Sequence, residues 1–249
     1  MALRIGFDLD GVLADMETEL VHRAELLFGE SMTRVLEQRS AGDPSEPPSG
    51  DLPVDVPDAP AIERLNMTPR QQRRLWKHVA SIENFWQTLQ ETESGVVAKL
   101  HALATERRWE IIFLTKRPQS AGAATQLQSQ RWLESKGYAL PAVYVVQKSR
   151  GRIADALGLD IVIDDRPENC LDVVTDSKAR SILVWRDRDK QVPGAARRLG
   201  IGVVTSVNDC LNVLVEIDSD RGQPGVMDRV RRMLGLKPAK DTQPSPLNQ

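Results

Sequence analysis

The stretch Phe7-Asp8-Leu9-Asp10-Gly11-Val12-Leu13-Ala14-Asp15 decides how this chain is read. An apolar run (Leu3, Ile5, Phe7) stops abruptly at two carboxylates one residue apart, with a glycine behind them. That pattern describes a buried strand delivering Asp8 and Asp10 to its C-terminal end, where the backbone must turn sharply. In open α/β sheets ligands sit at that end of the strands. A carboxylate pair there either holds a hard cation or divides nucleophilic and acid/base work. The bland alternative is a strand-end turn in which an aspartate caps the next helix.

A second segment weighs against the bland reading. Residues 161–165 repeat the layout, Ile-Val-Ile and then Asp164 and Asp165, followed by Arg166-Pro167. Adjacent carboxylates at a strand end repel one another unless a cation lies between them. A third apolar run, Ile111-Ile112-Phe113-Leu114, ends in Thr115 and enters the loop Lys116-Arg117-Pro118. A hydroxyl at a strand end is suited to donate to a phosphate oxygen. Lys148, Arg150 and Arg152 add positive charge shortly before the paired aspartates.

These segments, FDLDGVLAD, FLTKRP, a Lys/Arg before a helix, and IDD, resemble the four motifs of the haloacid-dehalogenase-like (HAD) superfamily in their usual order, over residues 3–215. Within it, DLDGVLAD and IDDRPEN look most like the 5'(3')-deoxyribonucleotidase group. The resemblance implies an α/β fold: a Rossmann-like parallel sheet with helices on both faces, the first strand between those of the second and fourth motifs, and a small helical cap inserted after the first strand. It implies that Asp8 is the nucleophile, forming an aspartyl-phosphate. Asp10 would protonate the leaving oxygen, activate the hydrolytic water and ligate the metal through its backbone carbonyl. Thr115 would hydrogen-bond the transferring phosphoryl group. Asp164 would bind Mg²⁺ directly and Asp165 would support the metal's waters.

The physics of the residues agrees. A carboxylate nucleophile cannot approach a phosphate dianion unless positive charge cancels the repulsion. Oxygen coordination suits Mg²⁺, and no His/Cys cluster is present to prefer zinc. For the third-motif cation, a lysine directly before a helix-opening glycine is common in relatives, which here sets Arg150 beside Gly151. A compact ammonium contacts nucleophile and phosphate together more readily than a forked guanidinium, which favours Lys148 as catalytic and leaves Arg150 with Lys116 on the substrate side. Lys116 itself departs from the nucleotidase pattern, which carries a small hydroxylic residue there.

The 249 residues are long enough for one α/β core and an accessory domain. A net charge of −2 gives no reason to expect a nucleic-acid polymer or a membrane as partner. No apolar run approaches the ~20 residues that span a bilayer, and no signal peptide is visible. Cys170 and Cys210 lack motif spacing and read as reduced core thiols of a cytoplasmic protein.

The expected organisation is a core of 1–15 and 94–218, a helical cap of 16–93, and a terminal segment of 219–249. Helices are expected over 16–38, 68–80, 94–106, 120–136, 151–157, 167–176 and 208–216, alternating with strands at 143–146, 182–185 and 202–204. Thr68-Pro69 marks an N-cap and first helical position. Residues 41–60 hold six prolines and few large apolar side chains, and are expected to be a disordered insert. Trp76, Phe85 and Trp86 are three of the chain's few aromatics, all in the cap. They form either a wall for stacking a base or the cap's own small core. Beyond Asp218, Val226, Val230, Met233 and Leu234 make an apolar stripe beside Arg229, Arg231 and Arg232, which suits a basic amphipathic helix before a disordered tail.

Two functions follow. One is a Mg²⁺-dependent phosphohydrolase acting on a small phosphomonoester such as a nucleoside monophosphate. The other is a non-catalytic HAD domain that senses phosphate or binds a partner. Dehalogenation is disfavoured because it needs neither the metal nor a second acid.

Overall fold

The computed structural model describes residues 2–29, 67–186, 192 and 194–219. The expected helix beyond Phe28, the 41–60 insert and the C-terminal basic helix with its tail lie outside the described residues. Six parallel strands form one sheet: β1 (Arg4–Asp8), β2 (Glu110–Thr115), β3 (Ala142–Val145), β4 (Ile161–Asp164), β5 (Arg180–Val184) and β6 (Gly202–Val204), in the order β3-β2-β1-β4-β5-β6. The first strand therefore lies between those of the second and fourth motifs, as the resemblance implies. Two compact units make up the chain, Phe7–Lys148 and Met1–Gly6 with Ser149–Gln249.

In the unit Phe7–Lys148, β2 pairs β3 in register from Ile112↔Ala142 to Thr115↔Val145. Helix α1 (Met16–Phe28) is followed, past the undescribed stretch, by α2 (Pro69–Ser81). Thr68 begins α2 with a capping box: its hydroxyl accepts from Gln71 N, and Gln71 Oε1 accepts from Thr68 N at 2.9 Å. Leu75 and Val79, one turn apart, are buried, and Arg74 lies 5.5 Å above the Phe28 ring of α1. A short 3₁₀ turn (Phe85–Gln87) and helices α3 (Val96–Arg107) and α4 (Thr125–Ser135) complete the unit.

Helix α4 starts later than expected because the loop before it bends on a glycine. Gly122 has φ +93°, and a Cβ there would come within 2.5 Å of Asn84 Oδ1. Asn84 N donates to Ala121 O at 2.8 Å and Asn84 Oδ1 accepts from Ala123 N at 3.0 Å, so the loop is clasped to the chain before the 3₁₀ turn.

In the other unit, β4 pairs β5 and β5 pairs β6. Helices α5 (Arg150–Ala156), α6 (Pro167–Asp176), α7 (Gly194–Arg198) and α8 (Val207–Ser219) alternate with them. The short helix α7 has no counterpart among the expected elements. Cys170, Leu183, Ala196 and Ile201 pack together where α6, β5 and α7 meet. Ser149 caps α5 by accepting from Arg152 N at 3.1 Å, and its hydroxyl donates to the Asp172 carboxylate of α6 at 3.0 Å. Gly151 allows this close approach, because an added Cβ would collide with the Asp172 carbonyl oxygen and reach within 2.6 Å of Asp176 Cβ.

Gly151→Ala should therefore force α5 away from α6 and destabilise the protein by about 1–3 kcal/mol, as overpacking does. Thermal unfolding followed by circular dichroism checks this, and an unchanged melting temperature would contradict the close contact.

Candidate active site

The Asp8–Asp15 loop is built by its own backbone. Gly11 takes φ +81°, a left-handed conformation that disfavours side chains. Leu13 N and Ala14 N both donate to Leu9 O, at 2.8 and 2.7 Å, and Gly11 N donates to Ala14 O at 2.9 Å. The cap of the following helix comes from Asp15, whose carboxylate accepts from Thr18 N at 3.1 Å. Asp8 and Asp10 are thus left to other work. Asp8 is buried, and the Asp10 side chain keeps 12% of its surface exposed.

Asp10 is the centre of a polar network within the same unit. Thr115, fully buried at the end of β2, donates its hydroxyl to Asp10 Oδ2 at 3.1 Å. Arg117 forks onto the carboxylate, with Nε at 3.0 and 2.9 Å from the two oxygens and Nη2 at 2.8 Å from Oδ1. Its remaining nitrogen, Nη1, donates to Ser129 Oγ at 3.0 Å. The guanidinium lies 5.0 Å above the Trp86 ring and 5.9 Å from that of Trp132. Sequence reasoning named Arg117 only as part of the loop Lys116-Arg117-Pro118 and gave it no role. Lys116 beside it is exposed.

In the unit containing Ser149–Gln249, Asp164 ends β4 with no exposed surface. Its carboxylate accepts from Arg166 N at 2.9 Å and from Asn169 Nδ2 at 3.0 Å to each oxygen, and Arg150 Nε stands 3.2 Å from Oδ2. Asn169 is a second residue that sequence reasoning missed. The only available signal was its place one helical turn after the paired aspartates. Of the two candidate cations, Arg150 is buried against Asp164 and Lys148 is exposed. Asp165 is half-buried.

Among the described residues, Asp8, Asp164 and Asp165 bring carboxylate oxygens within 4.8 Å of one another. The donor set is all oxygen, which suits a hard cation such as Mg²⁺ and not a thiolate- or imidazole-seeking metal. No family model matches the sequence. No curated protein matches it significantly either. Solved structures do match. A Thermotoga maritima protein assigned as a beta-phosphoglucomutase superimposes with a TM-score of 0.53 at 16% identity, over 86% of this chain and 99% of that one. A haloacid dehalogenase-like family hydrolase from Xanthomonas campestris gives a TM-score of 0.50 at 12% identity, over 89% and 98%. The chain has a HAD-like fold.

Within this HAD-like fold the aromatics Trp76, Phe85 and Trp86 take different positions. Phe85 and Trp86 have no exposed surface and meet edge-to-face at 4.9 Å, and Trp86 Nε1 donates to Pro118 O at 2.9 Å. Trp76 on α2 is half-buried and so retains an accessible edge. No described helix is long and apolar enough to cross a membrane.

Cys170 lies behind Asp164, and burial, reinforced by the negative charge of Asp164, pushes its thiol well above the usual range. Cys210 is buried as well. Both thiols should stay unreactive to a disulfide reagent in the folded protein at mildly alkaline pH and react fully in concentrated guanidinium chloride. Rapid labelling of the folded protein would contradict their burial.

Proposed function

We propose that this protein is a Mg²⁺-dependent phosphohydrolase that cleaves a small phosphomonoester through an aspartyl-phosphate on Asp8. The observation that carries this reading is the carboxylate cluster of Asp8, Asp164 and Asp165 on a HAD-like fold, with Asp10 two residues beyond Asp8. The cluster fits the metal by its chemistry, since three carboxylates that close are costly without a cation. Asp8, Asp164 and Asp165, with the Asp10 carbonyl, would hold it, and the bound ion would supply the positive charge that lets an anionic substrate approach.

The residues then divide the work. An Asp8 oxygen attacks phosphorus, and the bond to the leaving oxygen breaks as Asp10 gives that oxygen its proton. Asp10 next takes a proton from water, whose oxygen attacks the phosphorus. Inorganic phosphate leaves and Asp8 is restored. Thr115 would bind a phosphoryl oxygen, exchanging its bond to Asp10 for one to substrate. Of the candidate cations, the buried Arg150 is better sited than the exposed Lys148 to act beside Asp164.

For the substrate, the motif resemblance supports a nucleoside monophosphate. Trp76 is the one of the three cap aromatics with surface left to meet a base. The test is phosphate release from nucleoside monophosphates, sugar phosphates and an aryl phosphate, with Mg²⁺ and with EDTA. Metal-dependent release favouring nucleotides is the expected result. Preference for sugar phosphates would overturn the nucleotide assignment alone. No release from any ester would favour a phosphate-sensing or partner-binding domain.

Asp8→Asn should lower turnover by at least about a thousandfold, as removal of a nucleophile does. Asn169→Ala should weaken Mg²⁺ binding by about 10–100-fold, the usual effect of losing a residue that orients a metal ligand. Calorimetric titration reads the second effect without relying on activity. Unchanged affinity would remove Asp164 from the metal's ligands.

A further inference from the structure

We infer that Arg117 is a positioning residue for the acid/base carboxylate of Asp10, an inference that rests on the phosphohydrolase reading above. Its side chain is wholly buried, a costly place for a charge that is not fully paired. Here every guanidinium nitrogen has an assigned partner. Nε and Nη2 fork onto Asp10, and Nη1 donates to Ser129 Oγ, which is itself tied to Thr125 O at 2.9 Å within α4.

The flat faces are held too. Trp86 and Trp132 lie near the guanidinium, and each indole is anchored by its own N–H, Trp86 to Pro118 O and Trp132 to Leu89 O, at 2.9 and 2.8 Å. The planar fork of the arginine therefore fixes the plane of the Asp10 carboxylate. Buried ion pairs of this kind are weak sources of stability, because apolar residues of similar volume commonly do as well. Their geometric value lies in orientation, and the group oriented here is the one that must meet the leaving oxygen.

Such a role has a kinetic signature. A displaced Asp10 harms esters with poor leaving groups, which need the proton, more than p-nitrophenyl phosphate, whose leaving group departs as an anion. The experiment compares kcat/KM for p-nitrophenyl phosphate and a simple alkyl phosphate in wild type, Arg117→Lys and Arg117→Ala. In both variants kcat/KM for the alkyl ester should fall about 10²-fold or more, and for the aryl ester about tenfold or less, with KM changed little. Lysine should not restore function, since it lacks the fork. Added guanidinium ion should recover part of the alkyl-ester activity of Arg117→Ala.

Equal losses on both esters, or none, would overturn the role, as would variants that lose the circular-dichroism signature of the fold. Wild type inactive on both esters would instead overturn the phosphohydrolase reading itself.

Discussion

A strand with neighbours on both edges and covered on both faces can carry polar chemistry in one place only, its end. β1 is that strand. Ile5, Gly6 and Phe7 are buried, and β2 and β4 flank it in the sheet. Any carboxylate within its span would lose its water without compensation. Asp8 stands where the strand stops, and the sharp turn at Gly11 places Asp10 just beyond it. The same restriction acts on β2, with Thr115 as its last residue, and on β4, with Asp164 as its last. In each case the polar residue is the last of its strand, the end at which open α/β sheets bind ligands.

Buried carboxylates also need charge compensation, and each unit supplies an arginine for it. Arg117 serves Asp10, and Arg150 serves Asp164. The two differ in what holds them. Arg117 is fixed by side chains of the loop and helix around it. Arg150 stands at the first position of α5, so its place depends on the Ser149–Asp172 contact and on the absence of a side chain at Gly151. A change in how α5 meets α6 is thereby felt at Asp164 without touching it.

The regular elements were legible because their signals are local. Apolar runs ending in polar residues marked β1, β2 and β4, and Thr68-Pro69 marked the start of α2. Helix α7 was not, since Gly194–Arg198 is too short to show a period. Strand order came from resemblance and not from pattern, because pairing partners leave no trace in composition. At the site, the aspartates stood out as charges interrupting apolar runs. Arg117 did not, for its partners Asp10, Trp86 and Trp132 are remote in sequence and only folding makes a basic loop residue internal. Phe85 and Trp86 were ambiguous for the same reason: an aromatic pair looks alike in a core and in a wall until its burial is known.

Asp15 N donates to Gln90 O, Thr92 N donates to Leu13 O, each at 2.9 Å, and Ala14 bridges Glu91. Chain leaving the Asp8–Asp15 loop and chain returning to α3 therefore stand side by side as a narrow neck. Everything between them is a closed excursion, and the entropy of closing such an excursion grows only logarithmically, by about 0.6 kcal/mol for each doubling of its length. Residues 16–81 can for this reason change in length at small entropic cost, whereas Asn84, Trp86 and Leu89 are tied to the Ala121–Ala123 loop, Arg117 and Trp132. The chain can lengthen or shorten that stretch while the neck keeps the backbone of the loop carrying Asp8 and Asp10 in its shape.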